Sequence, residues 1–310
     1  MKWGYKRAFL RCALLFAVGV AFQLIFGNIR PDWIRYPLGL ILFINYIYAL
    51  ILLSAKSERL TWIRQLSDHY ACISSLAGML VMTLLFGLTG QNGSTEGFWG
   101  ALGFRSMSTS WPFCIMLLYF ITVLGMRAID EIRNWRKRPA LATVIHSAVF
   151  IVLSAALFGN GDMVRARIIF REGEQQHVGI SPLTGRTTVL PFMIRLDEFI
   201  MEEYPPEEIR LPSGKTITMQ KGEPKMFLSK ITVSDRKGER HFDVKVNHPA
   251  QVGLWKIYQV GYDKEMGTST LECVRDGWYP VVKTGLWIIL AAGIFMALTA
   301  GNRRKREDRQ

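Results

Sequence analysis

The sequence predicts an α-helical integral membrane protein with about six transmembrane helices and one extracytoplasmic all-β domain between the fifth and sixth. Three observations predict it. Half of the 310 residues are apolar, yet 38 Lys and Arg outnumber 25 Asp and Glu. A mean hydropathy of +0.17 with a pI near 9.7 suits a membrane protein with basic loops better than a soluble globule. Next, six apolar runs of roughly 18 to 20 residues have the length a helix needs to cross a hydrocarbon core. Finally, the stretch from Gly161 to Pro280 carries 17 basic and 17 acidic residues and a period-two pattern. Because that stretch is neutral, the whole net charge of +13 belongs to the apolar remainder.

The charge distribution argues against nucleic-acid binding, and 37 aromatic residues with a 50% apolar content exclude intrinsic disorder. The runs lie near 9–27, 36–54, 70–89, 109–126, 142–159 and 281–300. Segments apolar on every side also occur as buried helices of a large soluble core, but five of them in the first 160 residues leave no amphipathic helices to cover them. The first run follows a basic start without an Ala-x-Ala cleavage pattern and reads as a retained span rather than a secretory signal. The lack of a Ser- and Arg-rich transit peptide favours a bacterium.

Loop charges orient the spans, since cytoplasmic loops carry the excess of Lys and Arg. One set of loops holds Lys2, Lys6, Arg7 and Arg11, then Lys56, Arg59 and Arg64, then Arg127, Arg133, Arg136, Lys137 and Arg138, then the basic tail from Arg303. The opposite set holds only Arg30, Arg35 and Arg105. Both termini are therefore expected in the cytoplasm of a bacterial inner membrane, with residues 161–280 outside. The expected divisions are two N-terminal spans in 1–60, a three-helix core in 61–160, the β domain in 161–280, and the last span with its cytoplasmic tail in 281–310.

Within 161–280 the strand signals are Val164–Phe170, Met193–Phe199, Thr216–Gln220, Phe227–Ser234, His241–Val246 and Trp255–Val260. Phe242, Val244 and Val246 alternate with His241, Asp243 and Lys245, as on a strand with one wet face. Asp235-Arg236-Lys237-Gly238 reads as a turn joining two strands. An antiparallel sandwich or partial barrel follows.

Catalytic signatures are missing: there is no G-x-S-x-G, no P-loop, no H-E-x-x-H and no C-x-x-C among Cys12, Cys72, Cys114 and Cys273. Glu202, Glu203, Glu207 and Glu208 flank Pro205-Pro206 as a solvated loop. Five histidines remain. His177 and His241 sit on polar stretches and suit the surface, and His248, in Val246-Asn247-His248-Pro249, suits structural hydrogen bonding, with a weak claim as a ligand. His69 opens the third span and His146 lies about one turn inside the fifth, both on the cytoplasmic side. Ionisable groups at membrane depth are costly and tend to mark function, and imidazole is a common axial ligand of haem iron. From position alone His69 reads equally as an interfacial histidine near Arg64, and His146 as a partner in an interhelical hydrogen bond, for example to a Ser or a carbonyl of a neighbouring helix.

Leu190-Pro191-Phe192, Arg195-Leu196-Asp197-Glu198-Phe199, Ser229–Val233, Val246-Asn247-His248-Pro249, Gly253–Gln259 and Gly261-Tyr262-Asp263 together resemble the ResB/CcsB family of cytochrome c biogenesis proteins, in order and spacing. Ser110-Trp111-Pro112-Phe113, His146 and Val274–Pro280 fit the same family, over about Ser67 to Gly301. The resemblance implies the CcsB subunit of the System II pathway, which with a Trp-rich CcsA-type multi-span partner carries haem outward and joins it to apocytochrome c. The nine tryptophans here form no Trp-rich outer loop, so the attachment chemistry is expected in the partner, and this subunit is expected to be non-catalytic. It further implies haem b, transported or transiently bound, held in the membrane by one histidine from each partner. His69 or His146 would be this chain's iron ligand, with His69 narrowly preferred for its place at the cytoplasmic mouth. The expected partners are CcsA, apocytochrome c and membrane lipid. The rival reading is a membrane-anchored sensor or a scaffold that handles no haem, against which the short loops and nine residues after Gly301 offer no output module.

Overall fold

The computed structural model describes residues 4–137, 139–182, 185–203, 207–210, 216–219, 224–263 and 266–307. The chain forms two compact units, one of Met1–Asp162 with Trp278–Gln310 and the other of Met163–Gly277.

The first unit is helical: α1 (Tyr5–Phe26), α2 (Leu38–Ala55), the short α3 (Thr61–Arg64), α4 (His69–Leu88), the short α5 (Gly97–Ala101), α6 (Trp111–Arg133), α7 (Ala140–Gly159) and α8 (Tyr279–Glu307). Six of these, α1, α2, α4, α6, α7 and α8, are long and apolar enough to cross a membrane. Helix α6 is the hub, packed against α1, α2, α4 and α7, and half of it is buried. Its start is set by Ser110 in extended conformation and Pro112 in the first turn, where the missing N–H is no loss. Its end runs past the apolar stretch to Arg133, whose Nη1 donates to the Ser54 carbonyl at the foot of α2 (3.1 Å). Midway, Tyr46 of α2 and Thr122 of α6 share a hydroxyl hydrogen bond of 2.9 Å. Gly125 lets helices close up, for a Cβ there would stand 2.6 Å from the Phe150 ring of α7 and 2.7 Å from Leu50 of α2. Exposed Leu14, Val18 and Leu24 on α1 and Leu286, Leu290 and Phe295 on α8 leave apolar faces of the kind lipid or neighbouring helices cover.

The second unit holds β1 (Val164–Arg171), β2 (Gln175–Ile180), β3 (Thr187–Glu203), β4 (Glu207–Arg210), β5 (Thr216–Met219), β6 (Pro224–Asp235), β7 (Gly238–Lys245), β8 (Ala250–Val252), β9 (Trp255–Asp263) and β10 (Thr268–Arg275). Eight form one sheet in the order β7-β6-β3-β2-β1-β10-β9-β8, antiparallel at every step, and β4 pairs with β5 separately. The sheet curls on itself, because Ser229 of β6 bonds Gln259 of β9 (2.5 Å) and Ser269 of β10 (2.9 Å), strands far apart in the sheet order. Ile168, Phe170, Ile194, Leu196, Ile231, Val244, Ile257 and Leu271 fill one core drawn from both halves of the sheet. This is the partial-barrel form of the expected antiparallel domain.

The Asp235–Gly238 turn joins β6 to β7, with Gly238 at a φ of 113° that favours glycine. On β7, Val244 is buried while His241, Asp243 and Lys245 are exposed, but Val246 falls past the strand and is exposed. Strands β2, β4, β8 and β10 are additions to the sequence reading. β10 is buried on most positions of both faces and so shows no alternation. Pro205, Pro206 and Gln220 lie outside the described residues.

Candidate functional site

One cavity of about 360 Å³ in the helical unit is walled by α4, α6 and α7, and both His69 and His146 line it. Its other walls are largely apolar, including Ile73, Leu76, Val123 and Leu124, with Cys72 and Arg127 as polar members.

Helix α7 starts after Pro139, which puts His146 two turns along, opposite the last turns of α6. There His146 Nδ1 meets Glu131 Oε2 at 2.8 Å, and Arg127 Nε donates to Glu131 Oε1 at 2.7 Å. The Glu131 side chain is only 3% exposed, that of His146 38%. A carboxylate only accepts, so the histidine donates from Nδ1, and in the neutral ring that tautomer has its lone pair on Nε2. A buried carboxylate that fixes tautomer and ring orientation is the usual outer-shell partner of a metal-binding imidazole. The interhelical hydrogen bond weighed from sequence for His146 is thus present, with an acidic side chain as the partner rather than a Ser or a carbonyl.

His69 is held differently. Asp68 caps α4, its Oδ1 accepting the His69 backbone N–H at 2.7 Å and lying 2.8 Å from His69 Nδ1. The ring is 58% exposed, with the Tyr70 ring 3.8 Å and the Tyr5 ring 6.2 Å away between centroids. An exposed pair of this kind contributes about 0–1 kcal/mol, so Asp68 orients His69 less firmly than the buried Glu131 orients His146.

His248 lies in the other unit, in the turn between β7 and β8, where it bridges to Lys245 and its Nδ1 is 3.3 Å from the Val246 carbonyl. His177 is exposed on β2, and exposed His241 bonds the Thr232 hydroxyl through Nδ1 (2.8 Å). Among the described residues no group of three or more His, Cys, Asp and Glu is placed to hold a bare metal ion.

Arg127 and Glu131 were missed as site residues because the apolar run ends at Met126. The signal was present: an Arg and a Glu four apart on a helix that continues beyond the run. Two imidazoles whose polar side-chain contacts among the described residues run through Nδ1, one arginine and an apolar wall make a donor set that fits haem, whose iron, ring and propionates need those three kinds of contact.

Fold and cavity together describe a protein with six helices long and apolar enough to cross a membrane, a separate β-sheet domain, and a cavity among the helices lined by two imidazoles. The ResB-like family model matches residues 138–304, more than half of the sequence, and the chain belongs to that family. No curated protein matches the sequence. Among solved structures, the cytochrome c haem lyase CcmF is similar at 12% identity and a TM-score of 0.34. The match covers 84% of this chain and 45% of that one, so this chain spans less than half of CcmF.

Proposed function

We propose that this protein acts in cytochrome c biogenesis as the CcsB/ResB-type subunit of a System II complex, and that the haem it conveys rests in the cavity lined by His69 and His146. Membership of the ResB-like family supports the biogenesis role. The observation that carries the haem reading is the shared cavity: two histidines 77 positions apart line one pocket, one of them held by a buried carboxylate. Haem is cargo here, and the chain supplies binding and orientation. His146 or His69 offers Nε2 to the iron, Arg127 stands ready for a propionate, and the apolar wall excludes water from the ring.

The basic loops support cytoplasmic termini and an extracytoplasmic β domain in a bacterial inner membrane. A CcsA-type partner supplies the second axial histidine and the attachment chemistry, and the neutral β domain docks that partner or the apocytochrome c. Co-expression with a CcsA-type protein should yield a complex with a haem absorbance band that His69→Ala or His146→Ala weakens. A colourless complex, or an unaltered band with both histidines replaced, contradicts the reading.

A further inference from the structure

The β domain has a second cavity, of about 540 Å³, that the haem path leaves unused. It opens between the β6–β7 turn and the β8–β9 turn and is lined by Arg236, Lys237, Arg240, Arg275, Leu254 and Trp255, among others. Four cations on a single cavity make a local excess in a segment whose charges sum to zero. Arg240 Nη2 bonds Asp235, the single acidic member of the lining among the described residues, at 2.5 Å. Among the described residues, no carboxylate pairs with Arg236, Lys237 or Arg275. Arg275 instead lies over the Trp255 ring, 5.5 Å from its centroid. Arg240 also keeps Nε buried without a hydrogen-bond partner, and buried donors of that kind are rare unless something is missing from the site.

Apolar surface comes from Pro191 and Leu254, both exposed, above the buried Phe192 and Trp255. The volume lies in the range of sites for small molecules. We propose that this cleft binds a small amphipathic dianion, an apolar plate carrying two carboxylates, with the plate on Pro191 and Leu254 and the carboxylates on Arg236, Lys237, Arg240 and Arg275. Among the described residues no His, Cys or Met lines it, so the ligand is recognised by its anionic edge and not through a metal. The choice of a porphyrin as the natural member of that class rests on the haem reading of the helical unit; the preference for a dianion does not.

The test uses full-length protein in detergent and metal-free protoporphyrin IX, which has no iron for His69 or His146 to ligate. Saturable quenching of its fluorescence is expected. Affinity should fall tenfold or more in Arg236→Ser/Lys237→Ser/Arg275→Ser, three changes at exposed positions. It should fall similarly when protoporphyrin is replaced by its dimethyl ester, and stay within twofold in His69→Ala/His146→Ala. Binding of the triple Ser variant or of the ester within threefold of the parent value, or no saturable binding, overturns the proposal. Loss of the haem band in the histidine variants with this binding intact separates the two sites.

Discussion

Glu131 is the residue on which the geometry of the membrane site turns, since it accepts from His146 and Arg127 at once while buried. In the proposed haem site its role is positioning, so its two variants should separate. Glu131→Ala frees the ring of His146, and the haem affinity of the complex is expected to drop about 10- to 100-fold, the usual cost of losing an outer-shell partner. Glu131→Gln keeps an acceptor oxygen but loses the charge, and should retain most haem while raising its midpoint potential, because a less basic imidazole donates less to iron. Equal haem content and potential in all three proteins would leave Glu131 a structural residue. In the β domain Asp197 is the counterpart for stability. Burial works to raise its carboxyl, but the Thr232 hydroxyl, Arg195 and His241 outweigh that and hold its pKa below the ordinary carboxylate value. Glu174 is likewise lowered, by the Arg171 backbone N–H and Gln176. A carboxylate with a depressed folded-state pKa stabilises the fold above its unfolded pKa and ceases to do so as pH falls through the folded value. Asp197→Asn should therefore reduce hydrogen-exchange protection of residues 193–199 and 227–234 at pH 7, with the gap closing below about pH 4. A gap that persists at low pH would assign the effect to lost packing.

At the level of elements, the helices were legible because spans announce themselves by length and apolar content, and all six apolar runs have a helix in the structure. Their ends were less legible. The run ending at Met126 continues as helix to Arg133, and the added turns carry the charges that build the site. Strands with one wet face, such as β7, were readable from alternation, whereas β10, buried on both faces, and β2, mostly exposed, were not. Helix packing at Gly125 was hidden too, since nothing local says which neighbours meet a glycine. Gly125→Val forces atoms against Phe150 and Leu50 and is expected to cost about 1–3 kcal/mol, visible as a lower thermal midpoint in detergent. An unchanged midpoint would mean that α6 can shift away from α2 and α7 at no cost.

For the whole molecule, the location of charge organised the reading: a neutral period-two segment marked one unit, and the +13 fell on the rest. Loop charge also assigned His69 and His146 to one side of the membrane, and the structure brings the two to a single cavity. What no sequence pattern carried was which residue of α7 the Glu131 carboxylate meets, because pairing across α6 and α7 depends on helix rotation and not on spacing. The central claim is that an imidazole of this cavity ligates haem iron, and rescue by free imidazole tests it most directly. Purified with its CcsA-type partner, His146→Gly or His69→Gly should lose the six-coordinate haem spectrum and regain it on addition of imidazole in at least one of the two. Full six-coordinate spectra in both variants without imidazole would contradict the account.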